Sequence, residues 1–133
     1  MSGKNLTYHE EKKIENTQRL RTILQGLPAY AKDYFRAIEN TSSPRTRVSY
    51  AYDLQVFFRF LIDGNPALKN KKMQEITLQD IDQLTSSDIE EYQEYLKYYK
   101  SENGDQKNDV SSIARKLSSL RSFLNYFYKK ESL

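Results

Sequence analysis

The chain has 133 residues, of which 38% are hydrophobic and 29% charged, and its 11 Tyr and 6 Phe favour one folded, soluble domain over a disordered chain. It has no Cys, which excludes disulfides and thiolate chemistry. No apolar run approaches the ~18 residues that span a membrane, and the polar start does not resemble a signal peptide, so the cytoplasm is the expected location. The net charge of +3 does not indicate nucleic acid by itself, but residues 74–95 hold seven acids and no base, whereas residues 110–130 hold five bases and no acid.

The chain begins with a polar segment, residues 1–26. A weak helical pattern is confined to residues 12–24, and residues 1–11 are expected to be frayed. Pro28 then stands at the first turn of a predicted helix that runs to about Asn40, because proline is favoured where the helix leaves amides unbonded. The apolar stripe of this helix consists of Tyr30, Tyr34, Phe35 and Ile38.

A long central helix is predicted to begin at Ser43-Pro44. A serine before the first turn accepts a hydrogen bond from a free amide, and proline at the first helical position costs no hydrogen bond. Gly64-Asn65-Pro66 predicts the end of this helix, which runs to about Asp63. Its apolar residues, spaced by three and four positions, are Tyr50, Ala51, Leu54, Phe57, Phe58, Leu61 and Ile62.

The next predicted elements are a basic loop over residues 67–75 and a short helix at about residues 78–84. Ser87 with Glu90 three residues later matches a capping box, which predicts that a helix starts there and continues to about Lys100. The core-facing residues of this helix are Ile89, Tyr92, Leu96 and Tyr99.

Residues 100–109 are predicted as an exposed loop, and residues 110–130 as the last helix. The residues predicted to face inward on this helix are Val110, Ile113, Leu117, Leu120, Phe123, Leu124 and Phe127. Four main helices with one or two minor ones predict an all-α domain, an orthogonal or bundle-like arrangement over residues 27–131 without paired strands.

Residues that could carry catalysis are few. The single His, His9, lies in the segment expected to be frayed, so we interpret it as an exposed side chain rather than a general base. Asp88, Glu91 and Glu94 fall on the outer face of a predicted helix with no second cluster facing them, which favours a solvated surface over a metal site. Most tyrosines lie on apolar stripes, and none has neighbours that would activate it as a nucleophile. The sequence predicts no catalytic residue, no metal and no cofactor.

Two polar helix faces favour binding to DNA. The face of the last helix opposite its apolar stripe carries small hydroxyls and cations, which suit phosphates and base edges. The start of the central helix adds cations and hydroxyls beside the amides of a helix N-terminus, which attract phosphate oxygens. The residues predicted to contact DNA are Arg45, Thr46, Arg47 and Ser49 on the central helix, and Ser112, Arg115, Lys116, Ser119 and Arg121 on the last helix. For each helix alone, an ordinary basic solvent face remains the alternative.

Two blocks of the sequence resemble the N-terminal core-binding domain of tyrosine recombinases and phage-type integrases. The first block is Ser43-Pro44-Arg45-Thr46-Arg47, followed by Tyr50, Asp53-Leu54 and Phe57-Phe58. The second is SSIARKLSSLRSF over residues 111–123, with a polar start, a basic pair and a Leu-Arg-Ser-Phe ending. The resemblance covers about residues 27–130 and leaves open whether residues 12–24 extend the bundle or serve a partner protomer.

The resemblance implies a SAM-like helical bundle that closes over one side of a recombination site for DNA recombination and integration. The helices that start near Pro44 and Val110 would meet the major groove of double-stranded DNA. The family's catalytic residues lie in a C-terminal domain outside this chain, so the chain would be one non-catalytic domain of a longer recombinase. Other recombinase protomers would be its partners there, and we expect the isolated domain to be monomeric and to contact no membrane.

Two other functions stay open at this point. A helical protein-interaction module would use the acidic helix and the Tyr-rich surfaces for contact, with the basic faces merely solvated. A small metal-dependent nuclease would use the acidic cluster, but no further feature of the sequence supports it.

Overall fold

The computed structural model describes residues 7–101 and 104–132, and these form one helical bundle. Its α-helices are α1 (Tyr8–Gln25), α2 (Tyr30–Ala37), α3 (Pro44–Gly64), α4 (Leu78–Asp82), α5 (Ser86–Lys97) and α6 (Val110–Ser132). Single 3₁₀ turns cover Glu39–Thr41 and Met73–Glu75. The predicted all-α class is confirmed. None of the helices in the described part of the chain combines the length and apolar character needed to cross a bilayer.

The core is built around aromatic side chains from four helices. Tyr34 of α2, Phe58 of α3 and Phe123 of α6 are almost fully buried, and Tyr92 of α5 packs against Phe57 with ring centroids 5.2 Å apart. The Phe123 ring lies 5.3 Å from Tyr34 and 6.2 Å from Phe58, in edge-to-face geometry that is favourable for aromatic pairs. These contacts fix α3 and α6 against each other at the centre of the molecule.

The N-terminal helix is longer and better anchored than the sequence predicted. Thr7 caps it by accepting a hydrogen bond from the Glu10 amide at 3.1 Å, so the helix begins at Tyr8 within the segment that was expected to be frayed. Leu20, Ile23 and Leu24 are buried in the common core, and α1 packs along α3. Of the two alternatives for this segment, the structure shows that it extends the bundle.

The start of α3 agrees with the prediction. Ser43 accepts a hydrogen bond from the Thr46 amide at 3.1 Å, and Pro44 occupies the first helical position. The helix ends at Gly64, beyond which the Asn65 backbone is extended. The predicted apolar stripe is buried or packed against the core, and Val48 and Phe60 join it.

The start of α5 differs from the prediction by one or two residues. The cap is Thr85, whose hydroxyl accepts from the Asp88 amide at 3.3 Å while the Asp88 carboxylate accepts from the Thr85 amide at 2.8 Å. Ser87 and Glu90 therefore do not form the capping box. The two pairs have the same three-residue spacing, and the short Asp side chain satisfies the box as Glu would.

A short antiparallel hairpin replaces the predicted exposed loop. Strands β1 (Tyr98–Ser101) and β2 (Gly104–Lys107) pair with Tyr98 opposite Lys107 and Ser101 opposite Gly104. Gly104 has a φ of 97°, a backbone conformation that residues with a side chain rarely adopt. The predictions of no paired strands and of a helix continuing to Lys100 are therefore wrong.

Candidate nucleic-acid interface

The two helices that carry the predicted contacts lie side by side. Asp53 of α3 bonds Arg115 and Ser119 of α6, and five residues later Phe58 meets Phe123. Because the contacts advance in the same direction along both helices, the N-terminal halves of α3 and α6 lie at the same end of the bundle. The contact between α3 and α6, which we call the seam, thus brings together the two helices that carry the predicted residues.

Each helix presents an exposed or half-buried stripe next to this seam. On α3 the stripe contains Arg45, Ser49 and Tyr52, and Ser49 is rotated by only about 40° from Asp53, which faces α6. On α6 the exposed stripe is Ser111, Arg115, Ser118, Ser122 and Asn125, with Arg121 beside it. We call these two stripes together the seam surface.

Arg115 stands at the edge of the seam, between the core and the solvent. Its Nη2 lies 2.9 Å from Asp53 Oδ1; the Arg115 side chain is 53% exposed, whereas that of Asp53 is 2% exposed. Ser119 Oγ donates to the other carboxylate oxygen at 3.0 Å and is itself buried. Ser119 therefore faces inward, contrary to the prediction that it lies on the outer face.

Lys116 also faces inward, contrary to the prediction. It is 8% exposed, and its Nζ donates to Asn108 Oδ1 at 3.0 Å. Asn108 in turn donates to the Leu96 carbonyl at 2.7 Å, which satisfies a carbonyl near the end of α5. Burial lowers the pKa of Lys116, an effect that the Asp53 carboxylate opposes. This lysine joins α6 to the end of α5 through Asn108 instead of facing solvent.

Arg47 is likewise turned into the protein. It is 8% exposed, and its Nη1 donates to the carbonyls of Glu39, at 2.8 Å, and Ser42, at 2.5 Å. These carbonyls belong to the segment between α2 and α3, which lacks helical partners for them. The guanidinium therefore stabilises that connection instead of facing solvent as predicted.

Two amides at the start of each helix are already hydrogen-bonded. Ser43 bonds the Thr46 amide with its hydroxyl and the Arg47 amide with its carbonyl. At the start of α6, Asp109 Oδ1 accepts from the Ser112 amide at 2.8 Å, which lowers the pKa of that carboxyl. Anion binding at these ends would depend on side chains such as Arg45 rather than on free amides.

Of the predicted contact residues, six reach the surface. Arg45 and Arg121 are exposed, Arg115 is half exposed, and Thr46, Ser49 and Ser112 are partly exposed. Sequence reasoning missed the role of Asp53, whose partners are 62 and 66 residues away, and that of Asn108, which lies in the segment predicted as an exposed loop. It also missed Tyr52, which is 44% exposed between Ser49 and Val56, and whose position off the apolar stripe was the available signal.

The described residues that could carry general-base, nucleophilic or metal chemistry are not assembled into a site. His9 lies in the first turn of α1 and is exposed, with its ring 6.0 Å from that of Tyr8. Burial raises the pKa of Tyr34 and Tyr92, which keeps these hydroxyls protonated. Within residues 7–101 and 104–132, no group of three or more His, Asp or Glu side chains is arranged to hold a metal ion. Val110, predicted to face inward, is 84% exposed.

Comparison with known proteins gives a family for this arrangement. Residues 31–131 match the family described as "Phage integrase, N-terminal SAM-like domain". The chain belongs to this family. It is also 38% identical over 101 residues to "Tyrosine recombinase XerC" of Caldanaerobacter subterraneus subsp. tengcongensis, a match that covers 74% of this chain and 28% of that protein. The chain thus spans little more than a quarter of this relative's length, and no solved structure matches significantly.

The family match fits the position of the seam surface. It includes α3 and α6 and leaves α1 outside, so both stripes belong to the part of the bundle that defines the family. The predicted membership of the recombinase and integrase family is confirmed.

Proposed function

We propose that this chain is a double-stranded DNA-binding domain that holds one side of a recombination site through the seam surface. The observation that carries the proposal is that Arg45 and Ser49 of α3 and Arg115 of α6, from helices almost 70 residues apart in sequence, all belong to the seam surface and reach solvent. Arginine and small hydroxyls are the side chains that most often bond DNA phosphates and base edges.

Charge distribution supports the same surface. On α6, Arg115 lies on the exposed stripe and Arg121 lies beside it. Within the described residues of this helix, no acidic residue occurs from Val110 to Tyr128. On α5, by contrast, the exposed acids Glu90, Glu91 and Glu94 line one shallow surface depression. An asymmetric field of this kind orients a modestly charged protein toward a polyanion.

We infer the share of this chain in recombination from its similarity to a tyrosine recombinase, of which it spans 28%. Strand exchange by the whole recombinase would take place in a separate C-terminal domain, with this domain supplying DNA affinity and part of the site recognition. Several recombinase protomers would assemble on one site. Two linked DNA-binding domains gain from a high effective concentration, so the isolated domain is expected to bind more weakly than the whole protein.

The test is a titration of the protein with a fluorescent duplex at several salt concentrations. Arg45→Ala and Arg115→Ala should each weaken binding about three- to tenfold and reduce the slope of log K against log salt by about 1, since each removes one phosphate contact. Lys69→Ala is the matched control, because Lys69 is an exposed cation beyond the opposite end of α3. It should leave both quantities unchanged.

Backbone NMR shifts in the same titration would map the contact. Shifts at residues 45–52 and 111–122 that fade with rising salt support the proposal. If all three variants bind with the affinity and salt slope of wild type, or if the NMR shifts are confined to α5, a protein-interaction module that uses its acidic face would be favoured instead.

A further inference from the structure

Asp53 is a buried carboxylate whose two oxygens are both bonded by α6. Arg115 reaches Oδ1 at 2.9 Å and Ser119 reaches Oδ2 at 3.0 Å, one helical turn apart on α6. The carboxylate also acts electrostatically on Lys116 and on the buried Tyr92 hydroxyl. A charge in this position is costly unless it is paired and hydrogen-bonded, and here both hydrogen-bond partners are on α6.

The contact with Asp53 involves only part of the Arg115 side chain. Its side chain is 53% exposed, and a guanidinium has five N–H donors in a fixed planar fork. The bond from Nη2 to Asp53 tethers the guanidinium at the α3–α6 seam, while more than half of the Arg115 side chain stays exposed. A free surface arginine would lose rotamer freedom on binding a phosphate, whereas this one has already lost part of it.

We propose that Asp53 is a positioning residue for DNA binding: it holds the Arg115 guanidinium at the seam so that the remaining donors meet a phosphate of the duplex. This inference rests on the proposed function and identifies how one of its contacts is prepared. Asp53 itself is buried and touches no DNA.

The decisive variant is Asp53→Asn, because positioning and simple electrostatics predict opposite signs. Removing a negative charge next to a DNA-binding surface should tighten binding by long-range attraction alone. Loss of the Arg115 anchor should instead weaken binding about three- to tenfold at fixed salt. Asp63→Asn, which removes an exposed charge from the same helix, is the matched control and should leave affinity unchanged or slightly higher.

A double-mutant cycle separates positioning from a general structural defect. If Asp53 acts through Arg115, Asp53→Asn should not weaken binding further in the Arg115→Ala background. A second variant, Arg115→Lys, keeps the positive charge but lacks the planar guanidinium that can bond Asp53 and a phosphate at the same time. Because the side chain at position 115 is partly exposed, we expect this variant to fold. It should bind as weakly as folded Asp53→Asn.

The outcomes distinguish this inference from the proposed function. Any of three results would overturn the positioning role. These are that Asp53→Asn binds DNA as tightly as wild type or more tightly, that Arg115→Lys binds with wild-type affinity, or that Asp53→Asn weakens binding by the same factor in the Arg115→Ala background as in wild type. If Arg45→Ala and Arg115→Ala both leave affinity and salt slope unchanged, the DNA-binding proposal itself fails.

Discussion

Arg45 and Arg47 stand two residues apart on α3, yet their environments are opposite. Arg45 is exposed, whereas Arg47 is buried and bonds the carbonyls of Glu39 and Ser42. Arg47→Ala should lower the free energy of unfolding by about 1–3 kcal/mol, because two carbonyls lose a charged donor. Arg45→Ala should change it by less than about 0.5 kcal/mol. Urea denaturation of both variants measures the difference, and equal stability of the two would contradict the role given to Arg47.

Local sequence could not separate these two arginines. The helical pattern placed Arg47, Lys116 and Ser119 on polar faces because it counts every polar residue as outward. Burial of a polar side chain depends on partners elsewhere: Ser119 is bonded to a residue 66 positions away and Lys116 to an amide outside its own helix. Arg45 and Arg121, which have no such buried partner in the described residues, were placed correctly on the surface.

At the scale of elements, α4 is held by a capping box and an ion pair that share one carboxylate. Asp80 accepts from the Thr77 amide at 2.9 Å and from Lys71 Nζ at 2.7 Å, and the Lys71 bond is the main cause that lowers the pKa of Asp80 below 3.8. A lowered pKa means that ionised Asp80 stabilises the fold, and that this contribution is lost as pH falls through the folded-state pKa.

Asp80→Asn should therefore have a pH-dependent effect. Well above pH 3.8, at about pH 6, we expect the variant to be less stable than wild type by about 1 kcal/mol, and we expect the difference to shrink as pH falls below 3.8. Asp82→Asn, at an exposed position two residues later, is the control and should follow wild type at both pH values. Denaturation curves at about pH 6 and pH 3 make the comparison, and a constant difference between them would count against the assigned role of Asp80.

Element starts were predictable where one residue pair alone fits the cap, and less so where two pairs compete. Pro44 favours the first helical position and so selects Ser43 as the cap over Thr41 and Ser42, and α3 begins there as predicted. Before α5, Thr85 with Asp88 and Ser87 with Glu90 have equal spacing, and spacing alone does not distinguish the first pair, which forms the cap. The hairpin after α5 was missed because its strands are short and rich in charged residues, without the alternation that marks a strand.

For the whole molecule, the main question is whether α1 belongs to the stable bundle. The family match begins at residue 31, so α1 lies before the part that defines the family. Nevertheless Leu20, Ile23 and Leu24 are buried in the common core, and α1 packs along α3. Sequence alone left this open, because the helix has few apolar anchors and they are confined to its second half.

Leu24→Ala tests this arrangement against Ile14→Ala on the same helix. Leu24 is 8% exposed, so its truncation should leave a cavity and lower the free energy of unfolding by about 2–4 kcal/mol. Ile14 is 44% exposed, and its replacement by a strong helix former should change stability by less than about 0.5 kcal/mol. A single cooperative denaturation transition, shifted for Leu24→Ala alone, would indicate that α1 unfolds with the bundle. Equal stabilities would mean that α1 does not contribute to the core in solution, and the bundle would then consist of the helices from α2 onward.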